Sequence, residues 1–251
     1  MGKSFYQVVS MNDELADIQE FWDGFAEEYH LIQEESVFPI AEDVNVFLEN
    51  RGILPTTDFL DLAGGAGRYI DALLPQVERY TLVDISQKML EYAAQKTTDE
   101  KLRLVRMDQA QFFSTTNDNA FSVVFSAMNP AIEAAELTEI NRISSKWCLI
   151  LRTVKEEESL FTPLEKRLGM VAENDLMTVY QEVLKAKNAA YSTQRFSYHE
   201  EEVITQAFFR EYFQEYLTEK ELTEQIVTLF QDETAINHRH YVFELLFWEK
   251  F

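Results

Sequence analysis

From about Asp13 to Ile32 apolar residues recur three and four positions apart, at Leu15, Ile18, Phe21, Trp22, Phe25 and Tyr29, the spacing of a helix with one apolar face. A second helix is predicted over about Val37–Asn50, stopped by Gly52 just past its end. The period then shortens. Phe59–Leu62, Tyr80–Asp84, Leu102–Val105, Phe121–Phe125 and Trp147–Leu151 are short β-rich runs, separated by helical stretches at Arg68–Leu74, Gln87–Gln95 and Ala131–Ser144. Strands alternating with helices imply a doubly wound α/β fold, a parallel sheet with helices on both faces. After Val154 the rhythm breaks. A helix is expected at Leu176–Lys187 and a strand at Tyr191–Tyr198. A long helical stretch follows over Glu200–Phe230, with a capping box at Thr218–Glu221, and Arg239–Trp248 reads as a closing strand.

Composition narrows the function classes. Across 251 residues, 22 basic side chains stand against 44 acidic ones, a net charge of −22. So acidic a surface repels phosphate backbones and anionic membranes, and no Lys/Arg cluster exceeds a pair, so neither nucleic acid nor membrane is expected as a partner. One cysteine, Cys148, excludes an intrachain disulfide framework and cysteine-based metal centres; no histidine pair has a persuasive metal spacing. No apolar run approaches the roughly 20 residues that span a bilayer. Met1–Tyr6 lacks the apolar core of a signal peptide and the myristoylation pattern, so a cytoplasmic location is expected.

Glycine is scarce, yet Gly64, Gly65 and Gly67 fall together between a strand and a helix, in Asp61-Leu62-Ala63-Gly64-Gly65-Ala66-Gly67-Arg68-Tyr69. Such a turn lets a ligand approach the main chain without a Cβ in the way. Ile70 stands where a dinucleotide fingerprint wants a third small residue, and no P-loop lysine follows. Asp61, just before the turn, suits a ligand with an amine nearby. Asp84 ends the second strand at the distance expected of an acid that accepts from ribose hydroxyls. Met107-Asp108-Gln109 follows the third. Three successive strands thus deliver carboxylates to one rim, which suits a cofactor with an amino-acid end, a ribose and an exocyclic amine. S-adenosylmethionine fits.

On these residues the chain resembles the class I S-adenosylmethionine-dependent methyltransferases over roughly Asp13–Val154 and the final strand. Asp61–Tyr69 looks like the family's glycine motif, with Ala63 in place of its first glycine. Val83–Leu90 looks like the ribose segment and Met107–Gln109 like the adenine edge. Phe21–Tyr29 is similar to the N-terminal helix that closes over the cofactor. The resemblance implies a Rossmann-like, mostly parallel seven-stranded sheet with an antiparallel last strand and a helical lid. It implies one domain over 1–251: a helical cap at 1–52, a cofactor core at 53–154, then lid elements and closing strands. The implied cofactor contacts are Tyr29, Asp61, Ala63, Gly64, Gly65, Gly67, Asp84, Ile85, Met89, Asp108 and Gln109, with Ile85 and Met89 flanking the adenine.

The fourth strand ends in Ser126-Ala127-Met128-Asn129-Pro130-Ala131-Ile132, the corner that faces the sulfonium in this fold. Asn129 is a candidate for holding the acceptor, although Asn-Pro also reads as a plain turn with a helix start. The aromatic of the base-methylating Asn-Pro-Pro-Tyr motif is missing. Transfer from a sulfonium is a direct displacement, so a general base is needed only for a protonated acceptor. His30, at the end of the N-terminal helix, is the first candidate, ahead of His199, His238 and His240. Arg152 is read as pairing within the protein and Cys148 as buried. The expectation is methyl transfer to a small-molecule acceptor. The alternatives are a catalytically silent cofactor-binding protein, a protein methyltransferase and, last, a nicotinamide oxidoreductase. Hydrophobic helices at both ends leave a homodimer open.

Overall fold

The computed structural model describes residues 15–170 and 175–251; the expected helix start at Asp13 and the reading of Met1–Tyr6 lie outside them. The chain divides into two compact units. One holds the residues up to Arg152 together with Asp175–Phe196 and Glu244–Phe251; the other holds Thr153–Asn174 and Ser197–Phe243.

The first unit opens with α1 (Leu15–Glu34) and α2 (Ile40–Asn50). The second helix starts three residues later than the pattern suggests because Pro39 occupies its N-cap. It ends as expected, with Gly52 at φ +66°. Five parallel strands follow: β1 (Thr56–Leu62), β2 (Val77–Asp84), β3 (Leu102–Arg106), β4 (Phe121–Ala127) and β5 (Ser144–Glu158). The helices between them are α3 (Ile70–Leu73), α4 (Gln87–Lys96), α5 (Gln109–Thr115) and α6 (Glu136–Ile143). The sheet order is β3-β2-β1-β4-β5-β7-β6, where β6 is Tyr191–Thr205 and β7 is Thr234–Glu249. β7 runs antiparallel to β5: Lys250 bonds back to Lys146 at one end and Ser159 to His238 at the other. Central β1 is buried from Phe59 through Leu62, and apolar there apart from Asp61, as a strand covered on both faces should be. Leu60, Val124, Ile150, Ile140, Tyr180 and Trp248 form the main core of this unit, with α8 (Leu176–Ala186) packed on it.

In the second unit, α7 (Thr162–Arg167), α9 (Gln206–Phe213) and α10 (Glu219–Leu229) enclose a separate core of Phe161, Phe209, Phe213, Leu222 and Ile226. The capping box on α10 is formed by Thr218 and Glu221.

Three expected helices are corrected. Arg68–Leu74 is helical only from Ile70, because Gly67 holds a left-handed φ of +79°. Ala131–Ser144 is helical only from Glu136: the Asn129 side chain accepts from the Ala131 N–H at 2.9 Å and makes a turn there instead. Glu200–Phe230 is not one helix. Its first six residues extend β6 to Thr205, where Glu200 and Glu202 face Arg239 across β7, and α9 then starts on the Thr205 cap. His199 accordingly lies within a strand, its ring 4.2 Å from that of His240. The last strand also begins earlier than expected, at Thr234.

Phe161 is 4% exposed and lies within aromatic contact of Phe208, Phe209, Tyr212 and Phe213. Phe161→Ala is expected to cost about 3–5 kcal/mol in chemical denaturation; a loss under 1 kcal/mol would show that these rings do not hold the second unit together.

Candidate functional site

The rim of the first unit is built from the carboxyl ends of β1, β2 and β3, where ligands bind in doubly wound sheets. Asp61 on β1 has no exposed surface. One carboxylate oxygen, Oδ2, accepts from the Tyr80 hydroxyl at 2.8 Å, whereas Oδ1 is buried without a partner. Burial pushes this carboxyl up to about 7, and the charge of Asp84 adds to the rise against the Tyr80 bond. Nothing in the sequence singles out Tyr80. It reaches Asp61 because β1 and β2 pair in a register that sets Phe59 beside Tyr80.

The glycine turn follows directly. Ala63, Gly65 and Gly67 all have positive φ, of +56°, +54° and +79°. Ala63 therefore keeps the left-handed geometry of the glycine it replaces, at some steric cost. The glycines serve different ends. A Cβ on Gly64 would stand 2.7 Å from Asp61 Oδ2 and 2.6 Å from Leu82. A Cβ on Gly67 would meet Ile70 at 2.4 Å and Ala93 at 3.2 Å, so the bulky Ile70 is accommodated by the absent side chain at 67. Around Gly65 there is room: Tyr29 and Met89 would stand 3.5 and 3.8 Å from an added Cβ.

Asp84 is 9% exposed and held by two backbone donors, Gly65 N–H to Oδ2 and Ser86 N–H to Oδ1, each at 2.9 Å. Burial raises its pKa and these donors counter the rise. Beside it, Ile85 is half-buried and Met89 is buried. The side chain of Asp108 caps α5, accepting from Gln111 N–H at 2.9 Å.

Helix α1 lies across this turn. Ala26 packs on Ala66 and Met89, flanked by Trp22 and Tyr29. Burial raises the Tyr29 pKa. Asp23, which the pattern did not single out, fixes the helix on α4 by accepting from Ser86 Oγ at 2.6 Å and Lys88 N–H at 3.1 Å. Glu34 pairs with Lys96 at the other end. The His30 ring stacks on Tyr92 at 4.3 Å, with Nδ1 buried and unpartnered.

At the end of β4, Met128 has φ +56° and Asn129 is 3% exposed. The Asn129 amide donates to Gln109 Oε1 at 2.8 Å and Ser126 Oγ at 3.2 Å, and its backbone carbonyl accepts from Arg152 at 2.8 Å. Gln109 donates in turn to the Ala131 carbonyl. Arg152 is thus engaged within the protein by a backbone carbonyl. Cys148 is buried, its thiol pushed up to about 12 by burial. His199, His238 and His240 belong to the second unit, where His238 faces Glu201.

A glycine turn between β1 and α3, flanked by acids at or just past the ends of three adjacent strands of a sheet closed by an antiparallel β7, is the arrangement of the Rossmann-like methyltransferase fold. Residues 59–152 match the family model described as a methyltransferase domain. Solved structures agree in fold. A provisionally assigned methyltransferase of Bacillus halodurans superposes with a TM-score of 0.53 at 17% identity, over 82% of this chain and 98% of its own. Magnesium protoporphyrin IX methyltransferase of Synechocystis, with bound S-adenosylhomocysteine, gives 0.53 at 12%, over 93% and 99%. Phosphoethanolamine N-methyltransferase 2 of Haemonchus contortus gives 0.53 at 18%, over 95% and 60%. No curated protein matches in sequence.

Two stability measurements follow from this geometry. A folded-state pKa raised to about 7 favours proton uptake by the native state, so the contribution of Asp61 is fully present below pH 4 and lost as pH rises to 7. The stability difference between the wild type and Asp61→Asn should therefore drift by a few kcal/mol against the wild type from pH 4 to 7, then level off; a flat difference would contradict the burial argument. Ala63→Gly should relieve left-handed strain and raise stability by about 0.5–1 kcal/mol at constant pH, the relief being partly offset by a looser unfolded chain. A loss of stability would mean that the Ala63 methyl contributes packing.

Proposed function

We propose that the chain transfers a methyl group from S-adenosylmethionine to a small-molecule acceptor by direct displacement. The observation that carries this reading is the partnerless Oδ1 of buried Asp61 beneath the glycine turn. A buried carboxylate oxygen without a donor is costly, and a cationic amine is the group that satisfies it. The rest of the rim fits the same molecule. The Asp84 carboxylate, fixed by backbone donors from Gly65 and Ser86, offers an acceptor for ribose hydroxyls. Ile85 and Met89 supply apolar surface for a base, and Asp108 and Gln109 offer acceptors at its edge. Gly64, Gly65 and Gly67 with Ala63 shape the turn, and Tyr29 covers it.

Bound there, S-adenosylmethionine supplies an electrophilic methyl on a positively charged sulfur. The side chains contribute chiefly by orientation and exclusion of water, since a direct displacement is accelerated by alignment. Asp23, Glu34 and the His30–Tyr92 stack hold α1 across the turn. Asn129 has both amide hydrogens engaged, so we assign it to shaping the acceptor corner through Gln109, Ser126 and Arg152, not to contacting the acceptor. His30 lies in the seam between α1 and α4, and we assign it to positioning α1 rather than to taking a proton.

A small acceptor is supported by the Haemonchus structure, which holds phosphomonomethylethanolamine, and by the porphyrin named for the Synechocystis one. A silent binding protein is disfavoured because Ala63 keeps the turn geometry, and a protein substrate lacks a supporting observation.

Titration calorimetry with S-adenosylhomocysteine is expected to show micromolar binding to the wild type. Asp84→Ala should weaken it at least tenfold, the loss of charge-assisted bonds to two hydroxyls. Absence of binding to the wild type would overturn the cofactor assignment; unchanged binding to the variant would remove Asp84 from the site.

A further inference from the structure

Helix α1 lies shut on the rim. Its Ala26 packs on Ala66 and Met89, and all three are buried. Asp61 has no exposed surface, and Asp84 keeps only 9% of its own. Beside Gly65 there is space for a Cβ, 3.5 Å from the Tyr29 ring, but not for a molecule. A ligand that lies against the main chain of the turn therefore enters after α1 has moved away, and leaves by the same route.

What holds α1 down then sets the rate of exchange, and the helix is tied to both ends of α4. At the first end, Asp23 Oδ1 accepts from Ser86 Oγ at 2.6 Å and from Lys88 N–H at 3.1 Å. Ser86 is fully buried, and its Oγ also caps α4 by accepting from Met89 N–H at 3.1 Å. Lys88 N–H belongs to the first turn of α4, where a carboxylate also meets the positive end of the helix dipole. Lifting α1 takes the acceptor away from a hydroxyl and an amide at once. At the other end Glu34 pairs with Lys96, but the Glu34 side chain is exposed and water screens the pair. Between them His30 stacks on Tyr92 while its buried Nδ1 makes no bond. Of these ties, the one at Asp23 costs most to break.

We propose that Asp23 is a positioning residue that sets how fast the cofactor is exchanged: it latches α1 to the start of α4, and its release is the step common to entry and exit. The proposal rests on the S-adenosylmethionine reading above. Asp23 bonds α4 and not the ligand, and it holds α1 alike before and after the ligand is in place. An interaction equal in both states does not change affinity, so the latch slows exchange in both directions and leaves the dissociation constant nearly where it was.

Stopped-flow mixing with S-adenosylhomocysteine tests this without turnover, followed by tryptophan fluorescence, to which Trp22 on α1 contributes. Asp23→Ala should speed association and dissociation together, each by about fivefold or more, with Kd within about threefold of the wild type. Asp23→Asn keeps an acceptor oxygen and should recover most of the wild-type rates. Glu34→Gln, a surface change that threatens no core, should speed both steps by about twofold. A residue that merely supports the fold would weaken binding without faster association. That pattern in Asp23→Ala, or unchanged rates, would overturn the proposal. Should Asp23→Ala fail to fold, unchanged association in Glu34→Gln would overturn it as well. A wild type that does not bind S-adenosylhomocysteine overturns the cofactor reading itself, a distinct result.

Discussion

A carboxylate with no exposed surface and one oxygen without a donor is the constraint around which the rim of this protein is arranged. Such a group raises the free energy of the folded state in its charged form, and burial accordingly holds its pKa near 7. Its neighbours explain how it is tolerated. Tyr80 satisfies one oxygen, and Gly64 brings the turn against the carboxylate with no side chain between them. A cation delivered at the turn relieves the remaining cost, so the same feature that weakens the empty protein favours a ligand carrying an amine.

The fold sets the other contacts around that point. Parallel pairing of β1, β2 and β3 brings Asp61, Asp84 and the start of α5 to one edge. Gly67 lets Ile70 pack into the space where its own side chain would be, so α3 starts close to the sheet despite a bulky residue at the position that other glycine-rich folds keep small. Helix α1 is not merely an apolar cover. Asp23 caps α4 across the seam, which ties the helix that bears Tyr29 to the helix that bears Met89.

Much of this was legible in the residues. The five parallel strands follow from short apolar runs, and the acids at the first three strand ends from their spacing. What escaped has physical causes. Glu200, Glu202 and their neighbours have helical composition, yet Arg239 on β7 draws them into a strand, a pairing between residues far apart in the chain. The helix expected from Ala131 was displaced because Asn129 bonds its own backbone two residues on. Tyr80 and Asp23 carry no local signal, since each acts on a residue brought near only by strand register or helix docking. Asn129 is an acceptor candidate by position, and the structure engages its amide hydrogens with Gln109 and Ser126.

The central claim is that burial leaves Asp61 about half protonated near neutrality, and that it gives up that proton when a cationic amine arrives. Calorimetric titration of S-adenosylhomocysteine at pH 6.5, in buffers of differing ionisation enthalpy, measures this directly. The account predicts release of about half a proton or more per ligand bound to the wild type, and little from Asp61→Asn. Binding with no proton release, or with equal release from both proteins, would contradict it.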